Sequence, residues 1–454
     1  MDRNAQIRVT DFAEVDLGLS RDEIVAEAQR CIQCKKPKCI SGCPVGIDIP
    51  AFIAAIAEEK FQEAVDIIKR DNMLPAVCGR VCPQESQCQG VCILGLKAEP
   101  IAIGQLERYV ADFERAQAEN CENPEEINCP VPAPATGKYI AVVGSGPAGL
   151  SAAAELARRG HSVTIFESLH EAGGVLMYGI PAFRMPKDIV QFEIDQVKRL
   201  GVEIKTNHIV GRSVSVEELL AYDAVFLGTG AGLPYFMGIP GENLPGVYSA
   251  NEFLTRVNLM GANRFPEMDT PVKVGKKVVV IGGGNVAMDA ARVARRMGAE
   301  VTLMYRRSEA DMPARRDEVR HAKEEGVIFM TATNPIAFLG ENNAVCGVEA
   351  IKMELGTAGD DGRCSFYPIE GSAFKVEADV IVEAIGQGPN PLLLRMMPDL
   401  TRNRNGSVAV NCLGETSMPK VYAGGDVATG AATVILAMGT AKEAAISIDK
   451  KLRK

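Results

Sequence analysis

The chain has 454 residues, of which 47% are hydrophobic, and its formal net charge at pH 7 is −9. This length and composition predict two or three packed domains. The acidic balance, without a basic patch interleaved with aromatic residues, argues against a nucleic-acid partner. The first residues have neither a basic start nor an apolar core, and no apolar run reaches about eighteen residues, so neither a signal peptide nor a membrane span is predicted. Thirteen cysteines, eight of them in two tight runs, suit metal binding in a reducing compartment, and we expect a cytoplasmic protein.

Residues 1–119 are predicted to form a helical domain around the two cysteine runs. A helix over residues 20–30, with Ser20 and Glu23 in a capping box, leads into the first run, Cys31-x2-Cys34-x4-Cys39-x3-Cys43. The second run is Cys78-x3-Cys82-x5-Cys88-x3-Cys92. Close thiolate spacing suits a soft metal site, and all four histidines lie outside this domain, which leaves iron–sulfur clusters or two four-thiolate zinc sites. The Cys-Pro pairs at Cys43 and Cys82 favour clusters.

A dinucleotide-binding sequence follows a Pro-rich stretch, residues 120–137, that is predicted to be an extended linker. It consists of a strand over 138–143, the turn Gly144-Ser145-Gly146-Pro147-Ala148-Gly149, a helix over 150–159, a strand over 162–166 and the acid Glu167. The helix N-terminus offers N–H groups and a positive dipole to a pyrophosphate. Glu167 would accept hydrogen bonds from a ribose hydroxyl, so the sequence predicts a dinucleotide site here.

The same pattern recurs further along the chain. A strand over 277–281 leads into the turn Gly282-Gly283-Gly284-Asn285-Val286-Ala287, and a helix and a strand over 300–305 follow. Where the first copy has its acid, this copy has Tyr305, followed by Arg306 and Arg307. Arginine forks onto a phosphate whereas an acid repels it, so the second site should prefer the 2′-phosphate of NADPH over NADH. Arg315 is a further candidate for that phosphate, and a solvated charged turn is the alternative interpretation of these arginines.

Six segments carry a resemblance to a known family: CIQCKKPKCISGCP, CGRVCPQESQCQGVC, EPIAIGQLERYV, GGVLMYGIPAFRMPK, IGGGNVAMD and YAGGDVATG. The chain resembles the NADPH-dependent glutamate synthase small-subunit family. This family includes the large subunit of electron-bifurcating NADH-dependent ferredoxin:NADP oxidoreductases and the N-terminal part of dihydropyrimidine dehydrogenase. The resemblance implies an α/β fold with two Rossmann-like nucleotide-binding domains of the glutathione reductase type, preceded by the α-helical iron–sulfur domain. It implies FAD at residues 138–270 and 380–454, and NADPH at residues 271–379.

The resemblance also implies two 4Fe–4S clusters. Cys31, Cys34, Cys39 and Cys92 would hold one of them. Cys43, Cys82 and Cys88 would hold the other, together with a side chain of the following helix, Glu107 or, as the weaker candidate, Gln105. A solvated helix residue is the alternative interpretation of Glu107. Cys78 would be a spare buried thiol, and the isolated cysteines would be structural: Cys121, Cys129, Cys346, Cys364 and Cys412.

Further cofactor contacts follow from the resemblance rather than from spacing. For FAD these are a loop over the flavin ring, a Gly-Thr-Gly turn, the turn that binds the ribityl chain and the start of the last helix. The residues are Gly173, Gly174, Leu176, Thr229, Gly230, Gly425, Asp426, Thr433 and Val434, in addition to the first turn and Glu167. For NADP(H) the resemblance adds Gly386.

Electrons delivered as hydride need an exit from the flavin, and hydride transfer itself depends on alignment more than on an acid or base, so no catalytic proton donor is predicted. No C-x4-C or C-x-x-C pair stands within residues 138–454, which points to the clusters as the exit. We therefore expect an electron-input subunit with a glutamate synthase large subunit as its partner. The alternatives are a bifurcating enzyme with a ferredoxin-reductase-like flavin/2Fe–2S partner, and a redox-inactive binding protein.

Overall fold

A computed structural model describes residues 2–120, 132–358 and 364–454 of the chain. Most of the predicted linker, including Cys121 and Cys129, lies outside the described residues, as does the side chain of Cys364. No helix in these three ranges is long and apolar enough to cross a membrane.

The N-terminal part is helical, as predicted. Its α-helices are α1 (Ala5–Arg8), α2 (Arg21–Gln29), α3 (Lys38–Ser41), α4 (Ile49–Ala57), α5 (Phe61–Lys69), α6 (Pro75–Val81) and α7 (Ile103–Glu119). The predicted capping box begins α2, because Ser20 accepts a hydrogen bond from the backbone N–H of Glu23 and Glu23 accepts one from that of Ser20. Most cysteines of the two runs lie in the short segments between these helices, whereas Cys39 lies in α3 and Cys78 in α6.

The remainder of the chain contains strands separated by helices. In chain order the strands are β1 (Tyr139–Val143), β2 (Ser162–Phe166), β3 (Glu203–Lys205), β4 (Ala224–Leu227), β5 (Leu233–Pro234), β6 (Val247–Ser249), β7 (Lys277–Ile281), β8 (Glu300–Met304), β9 (Ile328–Met330), β10 (Thr333–Glu341), β11 (Ala344–Ala358), β12 (Cys364–Pro368), β13 (Phe374–Glu377), β14 (Val380–Glu383), β15 (Gln387–Gly388) and β16 (Val421–Ala423). The helices are α8 (Pro147–Arg158), α9 (Val175–Tyr178), α10 (Lys187–Arg199), α11 (Val216–Leu220), α12 (Ala250–Asn258), α13 (Asn285–Arg296), α14 (Arg316–Glu324), α15 (Pro391–Met396), α16 (Asp426–Thr429) and α17 (Val434–Leu452).

Two parallel five-stranded sheets share one topology. The first has the strand order β16-β4-β1-β2-β3 and the second β6-β14-β7-β8-β9, so β1 corresponds to β7 and β4 to β14. Each sheet is built from βαβ units, which explains its buried, β-branched strands. The antiparallel strands β10–β13 form a separate sheet, and β5 pairs with β15 in a two-stranded link.

The division between the sheets differs from the predicted boundaries at two strands. Val247–Ser249 and Val380–Glu383 fall in the ranges expected to bind FAD, yet both are strands of the second sheet, where β14 lies between β6 and β7. The assignment of these two strands could not be predicted from the sequence, because the hydrogen bonds that place a short apolar strand in a sheet come from residues distant along the chain.

The helical part and the first sheet share one hydrophobic core. Buried side chains of α4, α5 and α6 belong to the same apolar cluster as those of β1, α8, α10 and α17. The second sheet has its own core. The cysteine segments are therefore fixed against the first sheet by continuous packing.

Candidate functional site

The first glycine-rich turn joins β1 to α8 and leaves room for a ligand. A Cβ at Gly144, whose φ is +97°, would lie 2.6 Å from the carbonyl oxygen of Gly228, and a Cβ at Gly149 would collide with that of Gly144. By contrast, a Cβ at Gly146 would meet nothing within 4 Å. Pro147 is the first residue of α8, so the free N–H groups of this helix point to the same open space. This geometry fits a pyrophosphate.

Glu167 is buried at the end of β2 and braces the turn. Its Oε2 accepts hydrogen bonds from the backbone N–H (2.9 Å) and hydroxyl (2.6 Å) of Ser145, and its Oε1 accepts them from the N–H of Leu169 (2.8 Å) and the hydroxyl of Ser168 (3.2 Å). A ribose hydroxyl that donates to Glu167 would have to displace the Ser168 hydroxyl from Oε1. The Ser145 hydroxyl also accepts a bond from the N–H of Gly173 at 3.0 Å, a link between turn and loop that spacing alone did not predict.

The loop that contains Gly173, Gly174 and Leu176 lies over this turn. Gly174 has a φ of +55°, and a Cβ there would lie 2.8 Å from the Cα of Gly146. Lys187 fastens the loop from below, because its Nζ donates to the carbonyl oxygens of Leu176 (2.7 Å) and Ile180. Burial lowers the pKa of Lys187 to about 7.

The turn that contains Gly425 and Asp426, near the C-terminus of the chain, also lies beside the first glycine-rich turn. Gly425 packs so closely on α8 that a Cβ there would lie 2.7 Å from the Cβ of Ala148. The next residue, Asp426, has a buried Oδ1 without a hydrogen-bond partner among the described residues, and burial raises the pKa of its carboxyl to about 6. An unpartnered acceptor beside the turn fits a hydroxyl-rich ligand such as a ribityl chain. Gly230 has a φ of +66° and faces open space.

The second turn repeats the first in outline. A Cβ at Gly282 would collide with the carbonyl oxygen of Ala384, and a Cβ at Gly284 would meet only the ring of Pro313, at 4.0 Å. The ring of Tyr305 packs on Gly283, and the Tyr305 hydroxyl donates to the carbonyl oxygen of Asp311 at 3.0 Å. The turn therefore leaves open space at Gly284, the N-cap residue of helix α13, where the free N–H groups of the helix can reach a phosphate.

Arg306 and Arg307 follow β8 at the rim of this space. Arg306 is exposed, and neither guanidinium takes part in the ion pairs formed within residues 2–120, 132–358 and 364–454. Gly386, with a φ of +115°, lies beside the two-stranded link, where its carbonyl oxygen accepts a hydrogen bond from the N–H of Tyr235.

Arg315 does not lie with the other two arginines. Its backbone N–H donates to Asn285 Oδ1 at 2.9 Å, but its guanidinium extends to the helical part, where it donates to the carbonyl oxygen of Arg80 and to Gln84 Oε1. The expectation that Arg315 contacts the 2′-phosphate is thus not met by this geometry. The guanidinium is held by the carbonyl group of Arg80, near the C-terminus of α6, and by the side chain of Gln84.

The first predicted cluster site is a single cavity. Cys31, Cys34, Cys39 and Cys92 line it together, and the rest of its wall is mostly apolar, with Ile49 and Ile53 among the lining residues. Burial raises the pKa values of Cys31 and Cys39. Four thiols around one apolar space fit a soft, thiolate-bound cluster.

The second predicted site combines three thiols with a carboxyl. Glu107 is only 6% exposed, so it is not a solvated helix residue. Burial, in the first place, and the Glu107 charge both raise the pKa values of Cys43 and Cys88. Asn72 donates to Glu107 Oε1 at 2.7 Å, and burial raises the pKa of Glu107 to about 8.

Gln105 and Cys78 have different surroundings. Gln105 lies on another side of α7, where its Nε2 donates to Asp16 Oδ2 at 2.7 Å. Cys78 is buried one helical turn before Cys82, and its Sγ lies 3.7 Å from Met438 Sδ. No three His, Cys, Asp or Glu side chains within the described ranges come close enough to share a single metal ion. A 4Fe–4S cluster is larger and separates its thiolates further, so this observation concerns a zinc ion only.

Two family models match the chain. The model described as dihydropyrimidine dehydrogenase domain II, 4Fe-4S cluster, matches residues 8–119, and that of the pyridine nucleotide-disulphide oxidoreductases matches residues 138–444. These matches confirm the predicted fold class and the predicted cofactors, which are FAD, NADP(H) and 4Fe–4S clusters. The zinc alternative has no such support.

Individual relatives differ in how much of their length the chain covers. The NADP(+)-dependent formate dehydrogenase subunit beta of Moorella thermoacetica is 41% identical over 442 residues, which are 91% of this chain but 60% of that protein. The glutamate synthase [NADPH] small chain of Escherichia coli K12 is 36% identical over 454 residues, which cover 98% of this chain and 94% of that one. Among solved structures, Mycobacterium tuberculosis FprA in complex with NADPH has the same fold, with a TM-score of 0.59 at 22% identity over 71% of this chain and 85% of FprA.

Proposed function

Because the chain belongs to the family of the NADPH-dependent glutamate synthase small subunit, we propose that it takes electrons from NADPH and passes them through FAD and two 4Fe–4S clusters to a partner subunit. Membership of this family makes the chain an oxidoreductase, and the alternative of a redox-inactive binding protein is not retained. FAD belongs at the first sheet and NADP(H) at the second.

The course of helix α17 is the observation that carries this proposal. The helix begins at Val434, capped by the Thr433 hydroxyl, at the end that the resemblance assigns to the flavin ring. Five residues later, a Cβ at Gly439 would lie 2.7 Å from the carbonyl oxygen of Pro44, the residue after Cys43. Five residues rise about 7.5 Å along a helix. This short separation supports a direct electron route from the flavin to the cluster of Cys43, Cys82 and Cys88.

The residues of the flavin site would bind and align rather than exchange protons. FAD, when bound, converts a hydride into single electrons. Asp426 Oδ1 would accept a hydrogen bond from a ribityl hydroxyl, and the N-terminus of α17 favours negative charge at the ring end of the site. Lys187 keeps the covering loop closed over the turn through its bonds to two carbonyl groups.

The nucleotide and cluster assignments belong to the same proposal. Arg306 and Arg307 would bind the 2′-phosphate, which gives the preference for NADPH. Glu107 would complete the second cluster, where a carboxylate, as a harder ligand than a thiolate, should set that cluster's potential apart from the first. The remaining predicted contacts keep the roles given above.

Reduction of the chain alone tests the internal route. The anaerobically purified chain is mixed with NADPH or NADH, the flavin is followed by absorbance and the clusters by EPR. We expect NADPH to bleach the flavin and to produce reduced-cluster signals, and NADH to act much more slowly. A flavin that bleaches while the clusters stay oxidised, or faster reduction by NADH, would contradict the proposal.

The partner is a separate question. The identity is 41% to the formate dehydrogenase subunit and 36% to the glutamate synthase small chain, and both of these relatives are parts of larger enzymes. We propose a glutamate synthase large subunit as the partner, in the cytoplasm, on the resemblance of the six segments given above, and anaerobic co-purification from the native host tests this. Recovery of a ferredoxin-reductase-like flavin/2Fe–2S subunit in equal amount would replace that partner with the bifurcating one.

A further inference from the structure

Arg315 connects the second glycine-rich turn to a cysteine segment. On the nucleotide side, the N–H of Ala314 donates to the carbonyl oxygen of Gly283 at 3.2 Å, and the N–H of Arg315 donates to Asn285 Oδ1 at 2.9 Å. Pro313 is the residue nearest the open face of Gly284. Residues 312–315 therefore lie directly on the turn that would hold the phosphates of NADP(H).

The Arg315 side chain acts at the C-terminus of helix α6. Its Nη1 donates to the carbonyl oxygen of Arg80 at 2.9 Å and its Nη2 to Gln84 Oε1 at 3.1 Å. Gln84 is buried and donates in turn to the carbonyl oxygens of Cys78 and Gly79, both at 3.1 Å. A cation from another domain thus supplies the cap that the last carbonyl groups of a helix require.

The capped end of α6 is the end that carries a cluster ligand. Cys82 is the C-cap residue of α6. The same helix lies against α7 backbone to backbone, because a Cβ at Gly79 would lie 2.6 Å from the backbone nitrogen of Arg108, the residue after Glu107. A shift at the C-terminus of α6 therefore reaches both Cys82 and Glu107.

The hydrogen bonds of Arg315 to Arg80 and Gln84, which we call the bridge, lie beside an open cleft. The cleft, of about 470 Å³, lies between the helical part and the second sheet, and Arg80, Gln84 and Arg315 are among its lining residues. Because open space lies beside the bridge, its hydrogen bonds can change without disturbing either core. The helical part is held to the second-sheet domain elsewhere, where the buried Arg8 pairs with Glu325.

We propose that Arg315 is a positioning residue that couples nucleotide binding at the second turn to the cluster of Cys43, Cys82, Cys88 and Glu107. A nucleotide that displaces residues 312–315 changes the hydrogen bonds at the end of α6, and hydrogen bonding around a cluster tunes its electronic properties. The coupling is reciprocal, so reduction of this cluster alters the affinity for the nucleotide by the same factor. The inference rests on the proposed function, because it requires both cofactors.

EPR of the dithionite-reduced holoprotein, with and without adenosine 2′,5′-bisphosphate, tests the coupling. This fragment carries the 2′-phosphate but no nicotinamide, so it binds without redox chemistry. The signal of the second cluster is the one that Glu107→Gln alters. In the wild-type chain we expect the fragment to shift this signal and to leave the other cluster's signal in place.

Variants of the bridge separate coupling from binding. In Arg315→Ala we expect the fragment still to bind, by equilibrium dialysis, with unchanged iron and sulfide content but without the shift. Gln84→Met should lose the shift in the same way, the double variant should lose no more, and Arg315→Lys should recover part of it. Arg316→Ala, at an exposed neighbour, should keep the full shift.

Two results would overturn the inference: a wild-type spectrum that the bound fragment leaves unchanged, or a full shift in Arg315→Ala. Either is distinct from a failure of the proposed function, which would appear as a purified chain without flavin or cluster signals.

Discussion

The two glycine-rich turns are built alike and differ at the residues that choose the ligand. In both, the first glycine packs on the carbonyl oxygen that follows the neighbouring strand, Gly228 in the first sheet and Ala384 in the second. After the second strand, however, the first site has buried Glu167, and the second has Tyr305 and two arginines without ion pairs in the described ranges. The glycine-rich turn that both sites share is suited to binding a pyrophosphate, whereas the residues after β2 and after β8 determine which nucleotide each site prefers.

A methyl group at the third glycine should have the largest effect and should separate the two turns. In Gly149→Ala the new Cβ collides with the backbone of Gly144, which cannot move aside without opening the turn. We expect loss of FAD from the purified protein and destabilisation of about 1–3 kcal/mol, measured by flavin content and thermal unfolding.

The matched change at the second turn is Ala287→Gly, because this turn already accommodates a methyl group. We expect it to cost about 1 kcal/mol or less, with FAD retained. Equal losses from Gly149→Ala and Ala287→Gly would show that the two turns are not packed differently.

Removal of both arginines should abolish the phosphate preference of the second site. In the double variant Arg306→Ala, Arg307→Ala, two charge-assisted hydrogen bonds are lost, each worth about 1.5–3 kcal/mol, and we expect at least about 100-fold weaker binding of NADP+. Affinity for NAD+ should change little, and FAD at the first turn should remain. Isothermal titration with both nucleotides measures this, and equal weakening for NAD+ would indicate a general disturbance of the site.

Asp426 gives the first site an acceptor that the second does not reproduce. The strand of the second sheet that matches β16 is β6, and at its end the Ser249 hydroxyl caps α12. By contrast, Asp426 Oδ1 has no hydrogen-bond partner among the described residues. Burial raises the folded-state pKa of Asp426 to about 6, so the folded protein binds this proton more tightly than the unfolded chain does. The resulting stabilisation of the flavin-free protein is complete below the unfolded pKa and is lost as the pH rises through about 6.

FAD binding should show the opposite dependence, because only the ionised carboxylate is purely an acceptor. We expect FAD affinity of flavin-free protein to rise by about tenfold between pH 5 and pH 7, as quenching of FAD fluorescence would show. Asp426→Asn, of the same size, should remove this pH dependence. A wild-type affinity that is flat over this range would exclude Asp426 as the ribityl acceptor.

The sequence predicted the parts of these sites that depend on local geometry. A glycine that must adopt a positive φ leaves its mark in the spacing of a turn, and so the predicted turn residues come together in space. The set of Cys31, Cys34, Cys39 and Cys92, which line one cavity, came from the family resemblance, because Cys92 belongs to the other cysteine run. What the sequence missed depends on contacts between distant residues. Contacts between distant segments decide the direction of the Arg315 side chain and the hydrogen bond between Ser145 and Gly173. They also decide which strands belong to the second sheet.

The smallest effect is expected when the residue after β8, Tyr305, is changed to resemble Glu167, the residue after β2. Tyr305→Glu places a carboxylate beside the 2′-phosphate position, where partly solvated like charges repel by about 1 kcal/mol, so adenosine 2′,5′-bisphosphate should bind about fivefold more weakly while adenosine 5′-monophosphate is unaffected. Tyr305→Gln is the matched control, because it removes the same ring from Gly283 and the same hydroxyl bond to Asp311 without adding charge. If Gln weakens the bisphosphate as much as Glu does, the ring supports the turn and Tyr305 does not occupy the acid's place. If only Glu weakens it, the charge after the second strand is what distinguishes the two sites.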